Sequence, residues 1–312
     1  KLPIMNVSDA LTDLAELVLK TALDVAGRDL AARHGSPFSE VSGKRHAAGF
    51  GVIGYGKLGG IELSYGSDLD VVFLHDSTGD CQQTDGEKPL DNTVFFGRLV
   101  RRLVHFLTTR TSSGMLYEVD TRLRPSGHSG LLVVSTEGFE KYQEENAWTW
   151  EHQALLRSRP VAGSKAIASK FDRIRAETLR SRVRRESLLE DVVSMRDKMR
   201  EQLDKSDADS FDLKQGVGGI ADIEFLVQYL VLKHAEENAA LFFSSDNIRQ
   251  LDALRDCQRL SATDVAELQE CYKTFRLRSH RLALDGRPAV VDGREFAAER
   301  QQVTTIWTRE MK

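Results

Sequence analysis

Apolar residues recur at helical spacing from the start of the chain. Leu11, Leu14, Leu17, Val18, Ala22, Val25 and Leu30 follow Ser8, a residue suited to a helix N-cap, and Gly35 supplies a stop. Residues 36–48 are polar and read as a loop. At Gly49 the period changes. Phe50, Val52 and Ile53 lead into a cluster of glycines (Gly54, Gly56, Gly59, Gly60 and Gly66), and an apolar run over 69–74 follows at once. Residues 76–91 are turn-rich, and 94–108 predict an amphipathic helix with Arg98, Arg101 and Arg102 on its wet side. Two further strands are expected over 116–123 and 131–134, on either side of Pro125-Ser126-Gly127. Gly49 to Ser135 therefore reads as a small α/β unit.

Beyond Ser135 the pattern is almost wholly helical, over 139–156, 164–179, 184–203, 220–235, 247–257, 262–284 and 295–311. Proline and glycine fall mostly in the gaps. The basic run 180–185 reads as a solvated helix start. No internal repeat or low-complexity tract is visible. The expected organisation is an N-terminal helix and loop over 1–48, an α/β domain over 49–135 and a helical domain over 136–312.

Composition narrows the possibilities. With 312 residues and 41% hydrophobic content, the chain can bury a substantial core. Its 47 acids against 43 bases give a net charge of -4, which argues against a nucleic-acid coat. Three scattered cysteines (Cys81, Cys257, Cys271) suit neither a disulfide framework nor a zinc knuckle. No apolar run approaches the roughly 20 residues of a membrane helix, and no signal peptide opens the chain. A cytoplasmic protein is the expectation. Because the chain begins at Lys1, already in a helical pattern, it is expected to be part of something longer.

The glycine cluster Gly51-Val-Ile-Gly54-Tyr-Gly56-Lys57-Leu58-Gly59-Gly60 admits three readings. As G-x-G-x-x-G it wants a full helix and an acid ending the next strand, but the acids Asp68 and Asp70 precede that strand. As a P-loop it wants Ser or Thr after Lys57 to bind magnesium, and Leu58 stands there. The third reading starts from Asp68 and Asp70, which are two apart and so project to one face of a strand. Asp120, ahead of Pro125, completes a three-carboxylate cup. Such hard oxygen donors suit Mg²⁺ or Mn²⁺ completed by substrate phosphates, and Lys57, Arg122 and Arg124 would be bases close to that anionic client. A lone D-x-D is usually a solvated or capping pair; the glycine turn and the third acid together favour the metal cup.

Gly54-Tyr-Gly-Lys57-Leu-Gly-Gly60-Ile-Glu-Leu-Ser-Tyr-Gly-Ser-Asp68-Leu-Asp70, followed by Arg110-Thr-Ser-Ser-Gly-Met-Leu-Tyr-Glu-Val-Asp120-Thr-Arg-Leu-Arg-Pro-Ser-Gly127, closely resembles the glutamine synthetase adenylyltransferase family. Asn146-Ala-Trp148-Thr-Trp150-Glu-His152-Gln-Ala and Lys214-Gln-Gly-Val-Gly-Gly219-Ile-Ala-Asp222-Ile-Glu224-Phe extend the resemblance over most of the chain. It implies an α+β protein, with a polymerase-β-like nucleotidyltransferase domain built on a small mixed sheet and then an all-helical bundle. The wording is closer to the adenylylating half of that bifunctional family than to the removing half. The implied reaction is transfer of AMP from ATP to a tyrosine hydroxyl of glutamine synthetase, lowering its activity in nitrogen regulation. Asp68 and Asp70 would bind both metal ions and Asp120 the ion that activates the hydroxyl. The nucleotide- and phosphate-binding candidates are Gly56, Lys57, Gly59, Gly60, Ser67, Arg122 and Arg124, with either Gly56-Lys57 or Gly59-Gly60 as the pair touching phosphate. Glutamine and the PII signal protein are implied as regulators by the family alone.

Two other functions compete: phosphorolytic removal of AMP from modified glutamine synthetase, and a non-catalytic domain that binds nucleotide or a partner. In the helical part, Lys214, Asp222 and Glu224 read either as a capped helix start or as contributors to the active site. Trp148, Trp150 and His152 are expected to pack in the core or between domains.

Overall fold

Val52-Ile53 and Val71-Val72-Phe73-Leu74 carry apolar side chains on both faces, so the strands that hold them need a covering layer on each side. The computed structural model, which describes residues 2–312, supplies these layers. In chain order the elements are α1 (Ile4–His34), β1 (Pro37–Val41), β2 (Lys44–Ala47), β3 (Phe50–Gly54), α2 (Gly56–Gly59), β4 (Leu69–His75), β5 (Asp80–Thr84), α3 (Asn92–Thr108), β6 (Val119–Asp120) and β7 (Val133–Ser135). There follow α4 (Thr136–Glu145), α5 (Thr149–Leu156), β8 (Arg159–Gly163), α6 (Lys165–Ser181), α7 (Leu188–Leu203), β9 (Ser210–Asp212), α8 (Ile220–His234), α9 (Asn247–Asp256), α10 (Ala262–Leu284), β10 (Val290–Asp292) and α11 (Ala297–Glu310). The chain is thus mixed α+β, with small sheets and many helices.

Contacts divide it into two compact units. One comprises Asp9–Ala147 and Arg157–Glu177; the other comprises residues 2–8, Trp148–Leu156 and Thr178–Lys312. The first unit is organised by a five-stranded sheet in which β6, β4, β3 and β8 follow in order, with β7 also paired to β4. β3 runs antiparallel to β4 and β8, whereas β6 and β7 lie parallel to β4, β6 at its beginning and β7 at its end. Leu69, Val71 and Phe73 share a core with Leu19, Leu23 and Ala26 of α1 and with Phe95, Leu99 and Leu103 of α3. By the two-residue alternation of a strand, Asp70 and Val72 face the other way. That alternation places the candidate carboxylates away from the α1/α3 core.

Several expectations are corrected. Residues 36–48 form a hairpin, β1–β2, joined by β5 into a second sheet. Its turn places Ser42 and Gly43 at positive φ (53° and 72°), and its polar strands are held by ladder hydrogen bonds more than by burial. The helix expected over 139–156 breaks in two because Glu151 reaches back to accept a hydrogen bond from the Trp148 N–H (2.9 Å), starting α5 afresh. Pro160, expected in the gap between two helices, lies in β8, an edge strand of the first sheet in a region expected to be almost wholly helical. Ser8 lies inside α1, where the Arg276 guanidinium donates to its hydroxyl at 2.8 Å. His152 is buried, but Trp148 is 62% exposed and so is not a core residue. Among the described residues, no helix is long and apolar enough to cross a membrane.

In the second unit α8 is buried on nearly every side, and α5, α7, α9, α10 and α11 pack around it. Asp222, in its first turn, is buried as well. One of its carboxylate oxygens accepts from Arg196 (2.6 Å) and Arg200 (2.9 Å), and the other accepts from the Gly218 N–H (2.7 Å). The fully buried Arg196 also donates to the carbonyl oxygen of Gln215 at 2.7 Å. The nearby Glu224 accepts from the Tyr272 hydroxyl (3.2 Å), and Lys214 is exposed. Asp222 therefore ties together the helix start, the glycine turn before it and α7. Removing one partner of a buried ion pair strands the other charge, so Asp222→Ala should lower stability by about 3–5 kcal/mol, read as a lower urea midpoint with little change in slope.

Candidate active site

The three aspartates come together through strand pairing. Asp70 is the second residue of β4 and Asp120 the last of β6, and parallel pairing sets them directly opposite each other. Residues opposed in a sheet project to one face, and Asp68, two positions before Asp70, joins them. Each contributes a carboxylate oxygen, and these oxygens all lie within 4.8 Å of one another. Asp68 is exposed and the other two are half-buried. Three hard oxygen donors at a solvent-accessible sheet end fit a divalent cation that retains waters or takes phosphate oxygens as its remaining ligands.

Gly56 adjoins this site. Its φ is +53°, in the left-handed region, and a Cβ at this position would overlap the carboxylate of Asp70. The Tyr55 N–H donates to the Asp70 carbonyl at 2.9 Å, fixing the turn to β4. Gly59 and Gly60 lie elsewhere: a Cβ on Gly59 would meet the Arg157 carbonyl, and one on Gly60 the Arg157 guanidinium. Beneath them Arg157 forms a buried ion pair with Glu62, and Arg159 donates to the carbonyls of Gly59 (3.1 Å) and Leu58 (3.2 Å). Of the two glycine pairs, only Gly56-Lys57 borders the carboxylates by these contacts. The ammonium of Lys57 lies 3.3 Å from the hydroxyls of both Ser64 and Ser67, which lie 2.8 Å apart in the loop leading to Asp68.

Arg122 and Arg124 differ in use. The Arg122 N–H donates to one oxygen of Asp120 (2.8 Å), while its guanidinium, two-thirds exposed, grips the other. These hydrogen bonds hold the Asp120 carboxyl below the usual carboxylate range against the opposing effect of burial, with His128 adding to the pull. The same pairing raises Arg122, to which Asp70 and Asp68 also contribute. Arg124 is buried and spent on its own loop: it donates to the carbonyls of Thr121 (2.8 Å), Gly130 (3.2 Å) and His128 (3.2 Å) and to the Thr121 hydroxyl (3.0 Å).

Sequence reasoning missed three features of the surroundings. Arg157 and Arg159, which support the glycine turn, fall in the gap between the helices expected over 139–156 and 164–179, which carries no alternating apolar pattern to mark a strand. Arg175, buried behind Tyr55, is pushed down to about 10 by burial, with Asp172 and Tyr55 opposing the shift; it remains cationic at neutral pH. A cleft of about 400 Å³ beside the Asp68 and Asp120 loops was not visible in a one-dimensional pattern.

Fold and site together define an α+β protein with a carboxylate cluster, able to hold a divalent cation, at the end of a small mixed sheet. Residues 1–174 match the family described as glutamate-ammonia ligase adenylyltransferase, and residues 193–288 match one described as GlnD PII-uridylyltransferase. The relative from Thioalkalivibrio sulfidiphilus is 52% identical over 311 residues, covering 100% of this chain and 32% of the relative. Those from Pseudomonas putida (48% over 319 residues, 98% and 32%) and Methylococcus capsulatus (49% over 307 residues, 98% and 32%) are similar. All three are named bifunctional glutamine synthetase adenylyltransferase/adenylyl-removing enzyme. The chain belongs to the glutamate-ammonia ligase adenylyltransferase family, and it spans about a third of the length of the curated relatives it matches.

Two outcomes follow from the geometry. Gly56→Ala places a side chain against Asp70 at a left-handed position, where a non-glycine residue already costs about 1–2 kcal/mol; a lower melting temperature and weaker divalent-cation binding by titration calorimetry are expected. For Asp120 the folded-state pKa is depressed, so its stabilising contribution is present above the ordinary carboxylate range and lost as pH falls through the depressed value. Arg122→Met should move the cation-free Asp120 midpoint upward, measured by carboxyl-carbon NMR titration.

Proposed function

We propose that this chain carries out metal-dependent transfer of AMP from ATP to a tyrosine hydroxyl of glutamine synthetase. The observation carrying the reading is the carboxylate cluster of Asp68, Asp70 and Asp120 beside the Gly56 turn, in a chain whose relatives are named bifunctional glutamine synthetase adenylyltransferase/adenylyl-removing enzyme. The mixed sheet with acids at paired strand positions supports a polymerase-β-like nucleotidyltransferase arrangement, and catalysis is assigned to the sheet-bearing unit.

The donor set suits Mg²⁺, with Mn²⁺ as an equivalent hard cation. Asp68 and Asp70 would hold both ions and Asp120 the one nearer the acceptor. Bound there, divalent cations would lower the pKa of the attacking hydroxyl and offset charge on the departing pyrophosphate. In the step itself the tyrosine oxygen forms a bond to the α-phosphorus of ATP, and the bond from that phosphorus to the oxygen bridging to the β-phosphate breaks. Pyrophosphate leaves with the electron pair, and the phenolic proton passes to solvent. Gly56 lets backbone and phosphate approach closely, and we assign phosphate contact to the Gly56-Lys57 turn because Gly59 and Gly60 are packed on Arg157. Ser67 orients Lys57. The exposed guanidinium of Arg122 can exchange Asp120 for a phosphate oxygen, whereas Arg124 braces the loop that presents both residues. Regulation by glutamine and PII protein is what the family resemblance implies.

The test is label transfer from α-labelled ATP to purified unmodified glutamine synthetase, with Mg²⁺ and with chelator. Metal-dependent label on tyrosine is expected, and Asp70→Asn and Asp120→Asn should each reduce it by several orders of magnitude, since metal stabilisation is worth several kcal/mol. Undiminished transfer by both variants would refute the metal-cup assignment. Phosphate-dependent release of ADP from modified glutamine synthetase, without transfer from ATP, would instead identify the removing activity.

A further inference from the structure

The loops leading into Asp68 and Asp120 enclose the cleft of about 400 Å³ noted above. Leu63 and Tyr65 from one loop and Met115 and Tyr117 from the other form apolar and aromatic walls. Ser67 and Glu118 complete the lining where it approaches the carboxylates. Ser67 is bonded directly to Asp68, and Glu118 precedes Asp120 by two residues, its carbonyl accepting from the Leu69 N–H at 2.9 Å. The cleft therefore opens at the shared start of β4 and β6, next to the cluster. Leu63 is fully buried, while Tyr65 stands 39% exposed at the rim.

We propose that this cleft is the subsite for the aromatic ring of the acceptor tyrosine, an inference that rests on the AMP-transfer reading above. Its walls are largely apolar and aromatic and no lysine or arginine is among its lining residues, while the Lys57 ammonium meets the Ser64 and Ser67 hydroxyls at the edge toward the glycine turn. Its walls suit a flat, uncharged ring, for which aromatic neighbours give edge and face contacts beyond simple burial. Position selects between the two rings in the reaction. The phenol ring is bonded directly to the attacking oxygen, so its pocket must adjoin the carboxylates. The base is separated from the α-phosphorus by an entire ribose and belongs further off. In the proposed geometry the ring enters the cleft, the hydroxyl emerges toward Asp120, and Tyr65 closes the rim.

The test compares steady-state AMP transfer by the whole protein with and without Leu116→Trp, which places a bulky ring at the cleft's exposed wall, and Tyr65→Ala, which removes the rim. Melting curves confirm that each variant folds. For both variants the KM for unmodified glutamine synthetase should rise about tenfold, the loss expected for one aromatic contact, with the KM for ATP held within about twofold. A rise in the ATP KM with an unchanged acceptor KM would overturn the proposal and give the cleft to the base. Unchanged KM values for both substrates in either folded variant would overturn it as well. Absence of any transfer by the unaltered protein would refute the functional reading and the subsite with it, whereas normal transfer with unaltered acceptor KM refutes the subsite alone.

Discussion

The carboxylate cluster of the sheet-bearing unit depends on a two-residue parallel pairing, Leu69 with Val119 and Asp70 with Asp120. A slip of one residue would turn Asp120 to the opposite face and Val119 toward the carboxylates. So short a ladder has little stability of its own, and its register is set from outside. Leu69 is locked into the α1/α3 core, Val119 packs against the same cluster, and the Leu69 N–H is taken by Glu118. Hydrophobic burial on one face of β4 thus determines where negative charge collects on the other.

That concentration of charge is unfavourable in itself, since three carboxylates within a few ångströms repel. A neighbouring cation offsets part of it. Arg122 neutralises part of the cluster from an exposed position, where the interaction is soft enough to be exchanged for a ligand. Gly56 lets the backbone turn approach Asp70 without a side chain. Further out, the Glu62–Arg157 pair and the carbonyl contacts of Arg124 and Arg159 hold the loops rigid. Exposed contacts therefore lie at the cluster and largely buried ones behind it.

The carboxylates were legible in the sequence because their signal is local. Asp68 and Asp70 share a strand, and a D-x-D beside a glycine turn needs no tertiary information beyond the two-residue period. Asp120 required a guess about which strand lies next to β4, and the motif around it supplied one. The glycine pairs were not separable in one dimension, since what distinguishes Gly56 from Gly59 and Gly60 is the identity of the group each abuts, Asp70 or Arg157. Arg124 resembled a phosphate ligand for the same reason: sequence shows a base near acids but not the three carbonyls that occupy it. The polar hairpin β1–β2 and the strand β8 were missed because neither carries the alternating apolar pattern on which strand recognition depends. Most of the helices of the second half were readable from periodicity alone, whereas the buried Arg196–Asp222 cluster became visible only once α7 and α8 were packed.

The central claim is that Asp68, Asp70 and Asp120 form one cation site. The most direct measurement is Mn²⁺ titration followed by NMR of the isotopically labelled protein, where paramagnetic broadening falls steeply with distance from the ion. Broadening should begin at the amides of residues 68–70 and 119–122 and at Gly56, be reversed by Mg²⁺, and vanish in a variant carrying Asp70→Asn and Asp120→Asn. Broadening that spares those amides, or that persists in the double variant, would contradict the account.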